Sequence, residues 1–233
     1  MSPPRHMTNE DPFPEKTKGK LRFYNMRYCP YALRARLMLT LKEVNFETIN
    51  IHLGKKPEWF LEKFSAGTVP VIEIDEKILG ESLVIAEYID EVYSKPGEQI
   101  VPKDPYERAR ARMLISNLFP KVISAVYQRL KKEENWKVDF YKYFDKIEKI
   151  LAEKNFFAGD VLGYADYMIW PWMRYFGPHC VDDALTEGRF PSLERWLAAM
   201  KKDPVVVKCA IPPNILAKFA EAYATREFVF DLE

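Results

Sequence analysis

A cysteine followed by a proline, Cys29-Pro30, stands where a predicted strand gives way to a predicted helix. Residues 21–24 are typical of a short strand, and apolar residues recur at helical spacing over residues 32–41. Proline suits the first helical position because its missing N–H would have no partner there. The N–H groups and the dipole at a helix start favour the thiolate of a cysteine. The junction therefore predicts a nucleophilic Cys29; the alternative is a buried cysteine used as a small apolar side chain.

Residue 32 is alanine, so the chain lacks a second thiol at the spacing of a C-x-x-C redox motif. In such a motif the second cysteine resolves a mixed disulfide within the same molecule. A mixed disulfide formed at Cys29 is therefore expected to need a thiol from outside. The other cysteines, Cys180 and Cys209, have no helix-start setting and are expected to be structural.

The elements that follow Cys29 predict an α/β fold. Residues 46–51 are typical of a second strand, parallel to the first because a helix lies between the two. After a short amphipathic segment, residues 69–74 and 77–79 form a predicted hairpin, and residues 81–93 have helical periodicity. The resulting order, βαβαββα, is the thioredoxin-like layout, in which a reactive cysteine begins the first helix.

Composition and turn residues divide the chain into four predicted parts. Residues 1–19 carry four prolines and little apolar content, which predicts a flexible N-terminal arm. The thioredoxin-like domain covers residues 20–94, and a turn-rich linker covers residues 95–105. Residues 106–233 have helical periodicity throughout and predict an all-α helical bundle domain.

Charge and cysteine usage exclude several classes of function. The 35 basic and 34 acidic residues give a net charge of +1, which does not indicate a nucleic-acid partner. The three histidines and three cysteines have no metal-ligand spacing, so no metal is expected. Few and widely separated cysteines suit a reducing compartment, and no apolar run is long enough to span a membrane. We therefore expect a cytoplasmic protein.

Short motifs in order along residues 20–225 resemble a known family. Each motif alone is weak, but together they are similar to the cytosolic glutathione transferases, and within that superfamily to the omega class. That class has a cysteine at the position of Cys29, where most members use tyrosine or serine. The family usually has serine or threonine at the position of Gly163, which is a departure in one helix cap. The motifs are residues 26–32, 56–60, 69–71, 81–82, 104–107 and 166–172.

The resemblance implies a glutathione transferase fold with glutathione as co-substrate. Pro70 is expected to be cis, and the backbone of Val69 to pair with the cysteinyl part of glutathione. Ser82 would hold the γ-glutamyl carboxylate and Glu81 the ammonium, while Lys56 would reach the glycyl carboxylate. The complete set of expected glutathione contacts is Pro30, Tyr31, Leu53, Lys56, Val69, Pro70, Glu81 and Ser82.

Simpler interpretations remain open for these residues. Pro70 also fits as an ordinary strand-opening proline, and Glu81 and Ser82 as helix-capping residues. A solvated surface position is the common role of a lysine such as Lys56.

A co-substrate pocket is expected between the two domains, beside Tyr31. Its predicted lining is aromatic, and ordinary core packing is the alternative. The predicted lining residues are Tyr127, Trp172, Tyr175 and Phe176.

The resemblance implies a thiol transferase and reductase that acts through a Cys29–glutathione mixed disulfide. Dehydroascorbate reduction and deglutathionylation are the expected activities, conjugation of glutathione to electrophiles is expected to be weak, and the expected assembly is a homodimer. One alternative is a membrane-associating protein of the chloride-intracellular-channel type, although residues 20–45 are highly charged for a membrane helix. A non-catalytic carrier of apolar ligands is another alternative.

Overall fold

The computed structural model describes residues 4–130, 133–134, 136–174, 188–224 and 229–232. These residues form two compact units, one of them continuous from Glu98 to Val207. The other unit combines the described residues up to Gly97 with those from Lys208 onward. The described residues from Lys208 onward thus group with the first unit, whereas the sequence predicted one helical domain over residues 106–233. Their contacts join positions far apart in the sequence, such as Asp231 and His6, and no local pattern reveals them.

The first unit contains a five-stranded mixed sheet. Its strands are β1 (His6–Met7), β2 (Leu21–Asn25), β3 (Phe46–Ile51), β4 (Val71–Ile74) and β5 (Lys77–Gly80). Their order in the sheet is β1-β3-β2-β4-β5. Strands β1, β3 and β2 are parallel, β4 is antiparallel to β2, and β5 is antiparallel to β4. The register places Phe23 opposite Thr48 on one side and Ile72 on the other. The βαβαββα order predicted from the sequence is confirmed.

The helices are numbered along the described residues. They are α1 (Pro30–Leu41), α2 (Glu58–Lys63), α3 (Ser82–Tyr93), α4 (Pro105–Met113), α5 (Phe119–Leu130), α6 (Trp136–Ala152), α7 (Tyr164–Met173), α8 (Pro191–Lys202), α9 (Pro204–Lys208) and α10 (Pro213–Ala224). Helices α1 and α3 pack against each other, and Phe60 of α2 contacts the ring of Tyr24 in β2. A π-helical turn, Leu114–Leu118, joins α4 to α5.

Residues 4–19, part of the segment predicted to be a flexible arm, make hydrogen bonds with the sheet. His6 and Met7 form the edge strand β1, and His52 N–H donates to Met7 O at 2.9 Å. The guanidinium of Arg22, which is fully buried, donates to the carbonyls of Pro14 and Glu15. A proline-rich segment that cannot form its own core is thus held by donors from the sheet.

In the second unit, α7 is buried along its whole length and begins at a buried carboxylate. Asp166 accepts hydrogen bonds from the backbone N–H groups of Phe157, Ala158 and Gly163 at 2.8, 3.2 and 3.1 Å. The indole N–H of Trp196 in α8 donates to the same carboxylate at 2.8 Å. Burial raises the pKa of Asp166 above its ordinary value, although these four donors act in the opposite direction. The Asp166 side chain therefore connects the loop before α7, the first turn of α7, and α8.

The glycine that departs from the family pattern has a steric reason in this chain. A Cβ added at Gly163 would lie 2.7 Å from the Cβ of Ala158. Asp166 still bonds back to the N–H of Gly163, so half of the usual capping arrangement is retained. The missing hydroxyl cap follows from the close approach of Ala158.

Candidate active site

Cys29 is the N-cap residue of α1, as the sequence predicted. Its Sγ accepts a hydrogen bond from Ala32 N–H at 3.5 Å, and Pro30 occupies the first helical position. The residue is 8% exposed, so the sulfur lies just below the surface. An N–H that donates to sulfur at a helix start stabilises the thiolate relative to the thiol. This geometry can support nucleophilic thiol chemistry.

The loop that precedes β4 lies beside this thiol. The Val69–Pro70 peptide bond is cis, as expected from the family resemblance. The carbonyl oxygen of Val69 is 3.9 Å from Cys29 Sγ. Val69 and Pro70 are both buried, so the fold brings this loop and the start of α1 together.

The start of α3 carries two further predicted residues. Ser82 is its first residue and is 6% exposed, whereas the N-cap residue Glu81 is exposed. Glu81 has φ 65°, in the left-handed region that non-glycine residues rarely adopt. Such backbone conformations are concentrated at functional sites.

Arg34 is a site residue that the sequence did not single out. It lies on α1, is 6% exposed, and donates from Nη1 to Ser82 Oγ at 3.3 Å. Its guanidinium also lies 5.8 Å from the ring centroid of Tyr31, which is itself exposed. A buried cation thus connects the helix that carries Cys29 to Ser82. A basic residue five positions after a helix-start cysteine was visible in the sequence, but only the fold shows what it contacts.

Lys56 and Leu53 lie in the loop after β3, and both are half-buried. A Cβ added at Gly67 would lie 3.3 Å from Lys56 Nζ and 2.8 Å from Leu61 Cδ2. Gly67 has φ 58°, so both its conformation and its surroundings favour glycine. Gly67 thereby leaves room for the Lys56 side chain, two residues before Val69.

The predicted co-substrate residues are less well defined. Tyr127 lies on α5 and is exposed, whereas Trp172 lies on α7 and is buried. Tyr175 and Phe176 fall outside the described residues. The predicted pocket therefore remains a prediction.

Two protein-family models match the sequence of this chain. They are the glutathione S-transferase N-terminal domain over residues 23–97 and the C-terminal domain over residues 106–199. The chain belongs to the glutathione S-transferase family. Glutathione is therefore its co-substrate.

Individual relatives narrow the assignment within the family. Glutathione S-transferase omega-1 of Sus scrofa is 37% identical over 223 residues, which cover 91% of this chain and 88% of that protein. Glutathione S-transferase omega-2 of Homo sapiens is 36% identical over 221 residues, with the same coverage of both proteins. The chain is thus an omega-class transferase, as its motifs predicted.

A solved structure supports the fold. Glutathione transferase Omega 1C from Trametes versicolor superimposes with a TM-score of 0.75 at 24% identity, covering 88% of this chain and 96% of that one. The predicted glutathione transferase fold is confirmed. In the part of the chain that the structure describes, no helix combines the length and apolar character needed to cross a membrane.

Proposed function

We propose that this protein is a glutathione-dependent thiol transferase and reductase that acts through a Cys29–glutathione mixed disulfide. The observation that carries the proposal is the Sγ of Cys29 at the start of α1, bonded to Ala32 N–H. Deglutathionylation and dehydroascorbate reduction are the proposed activities. Conjugation to electrophiles is proposed to be weak, because a cysteine stands where other classes have a hydroxyl group.

The fold supports a single-thiol mechanism at this site. Cys209 contacts α1 near its other end, with Sγ 3.3 Å from Thr40 Oγ1 and 4.0 Å from Arg36 O. At 1.5 Å per helical residue, these contacts lie roughly 10–16 Å along the axis from Cys29, beyond the reach of a disulfide. Cys180 lies outside the described residues. Resolution by external glutathione is therefore proposed.

Deglutathionylation consumes one free glutathione, and the substrate supplies the second glutathionyl group. The Cys29 thiolate attacks the glutathionyl sulfur of a mixed disulfide, breaking its S–S bond and releasing the other thiol, which takes up a proton. A glutathione thiolate then attacks the same glutathionyl sulfur, forming glutathione disulfide and regenerating the Cys29 thiolate. With dehydroascorbate, the Cys29 thiol and one glutathione thiol supply the two electrons and two protons, which yields ascorbate and the Cys29–glutathione disulfide. A second glutathione thiolate then attacks the glutathionyl sulfur of that disulfide, forming glutathione disulfide and regenerating the Cys29 thiolate.

The proposed glutathione site extends along three loops of the first unit. Val69 would pair with the cysteinyl backbone, beside Pro70, and Lys56 would reach the glycyl carboxylate. Ser82 and the N–H groups at the start of α3 would hold the γ-glutamyl carboxylate, with Glu81 on its ammonium group. The hydrogen bond from Arg34 to Ser82 supports this part of the proposal, because it fixes the hydroxyl beside a helix start. Pro30, Tyr31 and Leu53 would supply the remaining contacts.

A homodimer is proposed from the family resemblance. Helix α4 has no buried residue, and Tyr106 and Met113 on it are 69% and 62% exposed. Large apolar side chains at such exposure suit a surface that is covered in an assembly. Sedimentation analysis of the purified chain tests this proposal, and a single monomeric species would contradict it.

The deciding experiment is intact mass spectrometry after incubation with glutathione disulfide. One adduct of about 305 Da, the mass of a glutathionyl group, is expected on the unmodified sequence and is expected to be absent from Cys29→Ala. The matched control is Cys209→Ala, which should retain the adduct. No adduct, or one that survives in Cys29→Ala, would contradict the mechanism and favour the carrier or channel-like alternatives.

A further inference from the structure

A buried histidine outside the site described above bonds directly to the turn that ends at Cys29. His6 is 1% exposed, and its Nε2 accepts a hydrogen bond from Arg27 N–H at 3.2 Å. We call residues 26–29 the Cys29 turn, which is closed by a hydrogen bond from Cys29 N–H to Met26 O at 2.9 Å. His6 is thus an acceptor for the backbone two residues before the thiol.

The other ring nitrogen of His6 fixes its tautomer. Nδ1 lies 2.6 Å from Asp231 Oδ1, and the backbone N–H of His6 also donates to Asp231. Because Nε2 accepts from Arg27, it carries no proton, so Nδ1 carries the proton and donates it to the carboxylate. The pair resembles a salt bridge by distance, but this geometry requires a neutral imidazole. Asp231 therefore orients His6 with its acceptor nitrogen toward the Cys29 turn.

Further contacts from the N-terminal segment, the C-terminal segment and α10 hold the Cys29 turn. Arg27 donates from Nη1 to Leu232 O and from Nη2 to Pro4 O. The ring of Tyr28 stacks on Phe219 of α10, with centroids 4.1 Å apart and planes 16° from parallel. The residue next to the thiol is therefore packed by a helix that lies almost 200 positions away in the sequence.

We propose that His6 is a positioning residue for Cys29, holding the Cys29 turn through Arg27 N–H while Asp231 fixes its tautomer. The proposal rests on the proposed role of Cys29 as the nucleophile. A thiol displaced from its N-cap position loses the hydrogen bond from Ala32 N–H, and small displacements of a reacting group lower rates steeply. Loss of the His6 acceptor is therefore expected to lower the reactivity of the thiol without removing the fold.

Protonation of His6 would break the same contact, because both ring nitrogens would then be donors. The charged or titratable groups that face the ring are Asp231, Arg27 and His52, with the ring of Tyr28 alongside. Burial lowers the pKa of His6 below its ordinary value, and the Asp231 carboxylate acts in the opposite direction. The contact is thus intact at neutral pH and weakens on acidification.

Two variants of similar size separate positioning from general stability. His6→Gln places its amide oxygen close to the position of Nε2, so it keeps an acceptor for Arg27 N–H and does not titrate. His6→Asn keeps a donor for Asp231 but is too short to reach Arg27. Labelling of Cys29 by iodoacetamide, followed by peptide mass mapping, reports thiol reactivity independently of glutathione.

The proposal expects His6→Asn to label about fivefold more slowly than His6→Gln, the equivalent of one net hydrogen bond. Amide exchange in the Cys29 turn should be faster in His6→Asn, with similar melting temperatures for both variants. Dividing the wild-type labelling rate by the His6→Gln rate at each pH removes the pH dependence of the Cys29 thiol, which both proteins share. This ratio should be flat near pH 7 and should fall only well below the ordinary histidine pKa of about 6.5, because burial lowers the pKa of His6 in the folded chain.

Equal labelling of the two variants would overturn the proposal. If His6→Asn does not fold, Asp231→Ala decides, since this carboxylate is 44% exposed and its loss frees the His6 ring to turn. Slower labelling and faster exchange in Asp231→Ala support the proposal, and unchanged values overturn it. Failure of the proposed function would appear separately, as the absence of a glutathione adduct on wild-type Cys29.

Discussion

Two helix starts in this chain use their backbone N–H groups in opposite ways. At α1, Ala32 N–H donates to the sulfur of Cys29, a weak acceptor that is 8% exposed. At α7, the fully buried carboxylate of Asp166 accepts three backbone N–H groups and the indole N–H of Trp196. A weak acceptor near the surface keeps its capacity to react, whereas a strong acceptor in the core is committed to stability.

The two starts also differ in what supports them. The backbone partners of Asp166 all lie within nine residues of it, so that arrangement is mostly local. The Cys29 turn is supported by His6 and by Phe219, which are distant in sequence. Remote support allows the geometry of a reactive group to be adjusted without changing the helix that carries it.

Cys29→Ala is expected to cause the largest change and should affect activity alone. Loss of a covalent nucleophile normally costs orders of magnitude in rate, and we expect less than about a tenth of the thiol transferase activity to remain. The midpoint of denaturant unfolding should stay close to that of the wild type, because the sulfur makes only weak hydrogen bonds. Activity is measured in a coupled glutathione reductase assay. Substantial residual turnover would contradict the role of the α1 start in activity.

Asp166→Ala is expected to have the converse effect. It leaves four donors in the core without their acceptor, which should lower the free energy of unfolding by about 3–5 kcal/mol. Equilibrium urea unfolding measures this loss. Molecules that remain folded should still form the Cys29 adduct, and loss of the adduct from folded protein would show that the two helix starts are coupled.

Gly163→Ser is expected to destabilise the chain although serine is the better cap. The added Cβ would lie 2.7 Å from Ala158 Cβ, and overpacking of this kind costs about 1–3 kcal/mol, more than the few tenths gained by the cap. Ala158→Gly in the same chain removes the clash and should recover most of the loss. A double-mutant cycle measures this coupling, and additive effects would exclude the steric explanation.

Acidification should produce the smallest effect. The folded pKa of His6 lies below its unfolded value near 6.5, so the unfolded chain binds a proton more readily. The contribution of His6 to stability is therefore full above about pH 6.5 and is lost as the pH falls below it, by at most about 1.4 kcal/mol per pH unit. The difference in unfolding free energy between wild type and His6→Gln should shrink over this range. A difference that does not change with pH would indicate that His6 does not titrate there.

Residues 20–94 show how much the sequence could predict. The strand before Cys29, the proline after it and the alternation of strands and helices are local features, so the βαβαββα order followed from them. The cis peptide at Pro70 required the family resemblance, because cis and trans prolines look alike in a sequence.

Other features depended on contacts between distant segments. The pairing of His6 with Asn50 made a strand of a segment with little apolar content, and the described residues after Lys208 belong to the first unit rather than the second. Arg34 could be seen in the sequence, but its bond to Ser82 could not. Backbone and side-chain groups that are satisfied across long separations leave no local periodicity.

The sequence by itself therefore determined the element order, the family and the cysteine at the start of α1, because these depend on neighbouring residues and ordered motifs. The tertiary structure alone decided what surrounds that cysteine. The carbonyl of Val69 and His6, which is held by Asp231, reach Cys29 and its turn from separate segments, and Ser82 of α3 reaches Arg34 on the helix that Cys29 begins. Their placement depends on packing and on the partner that each buried polar group finds in the folded chain.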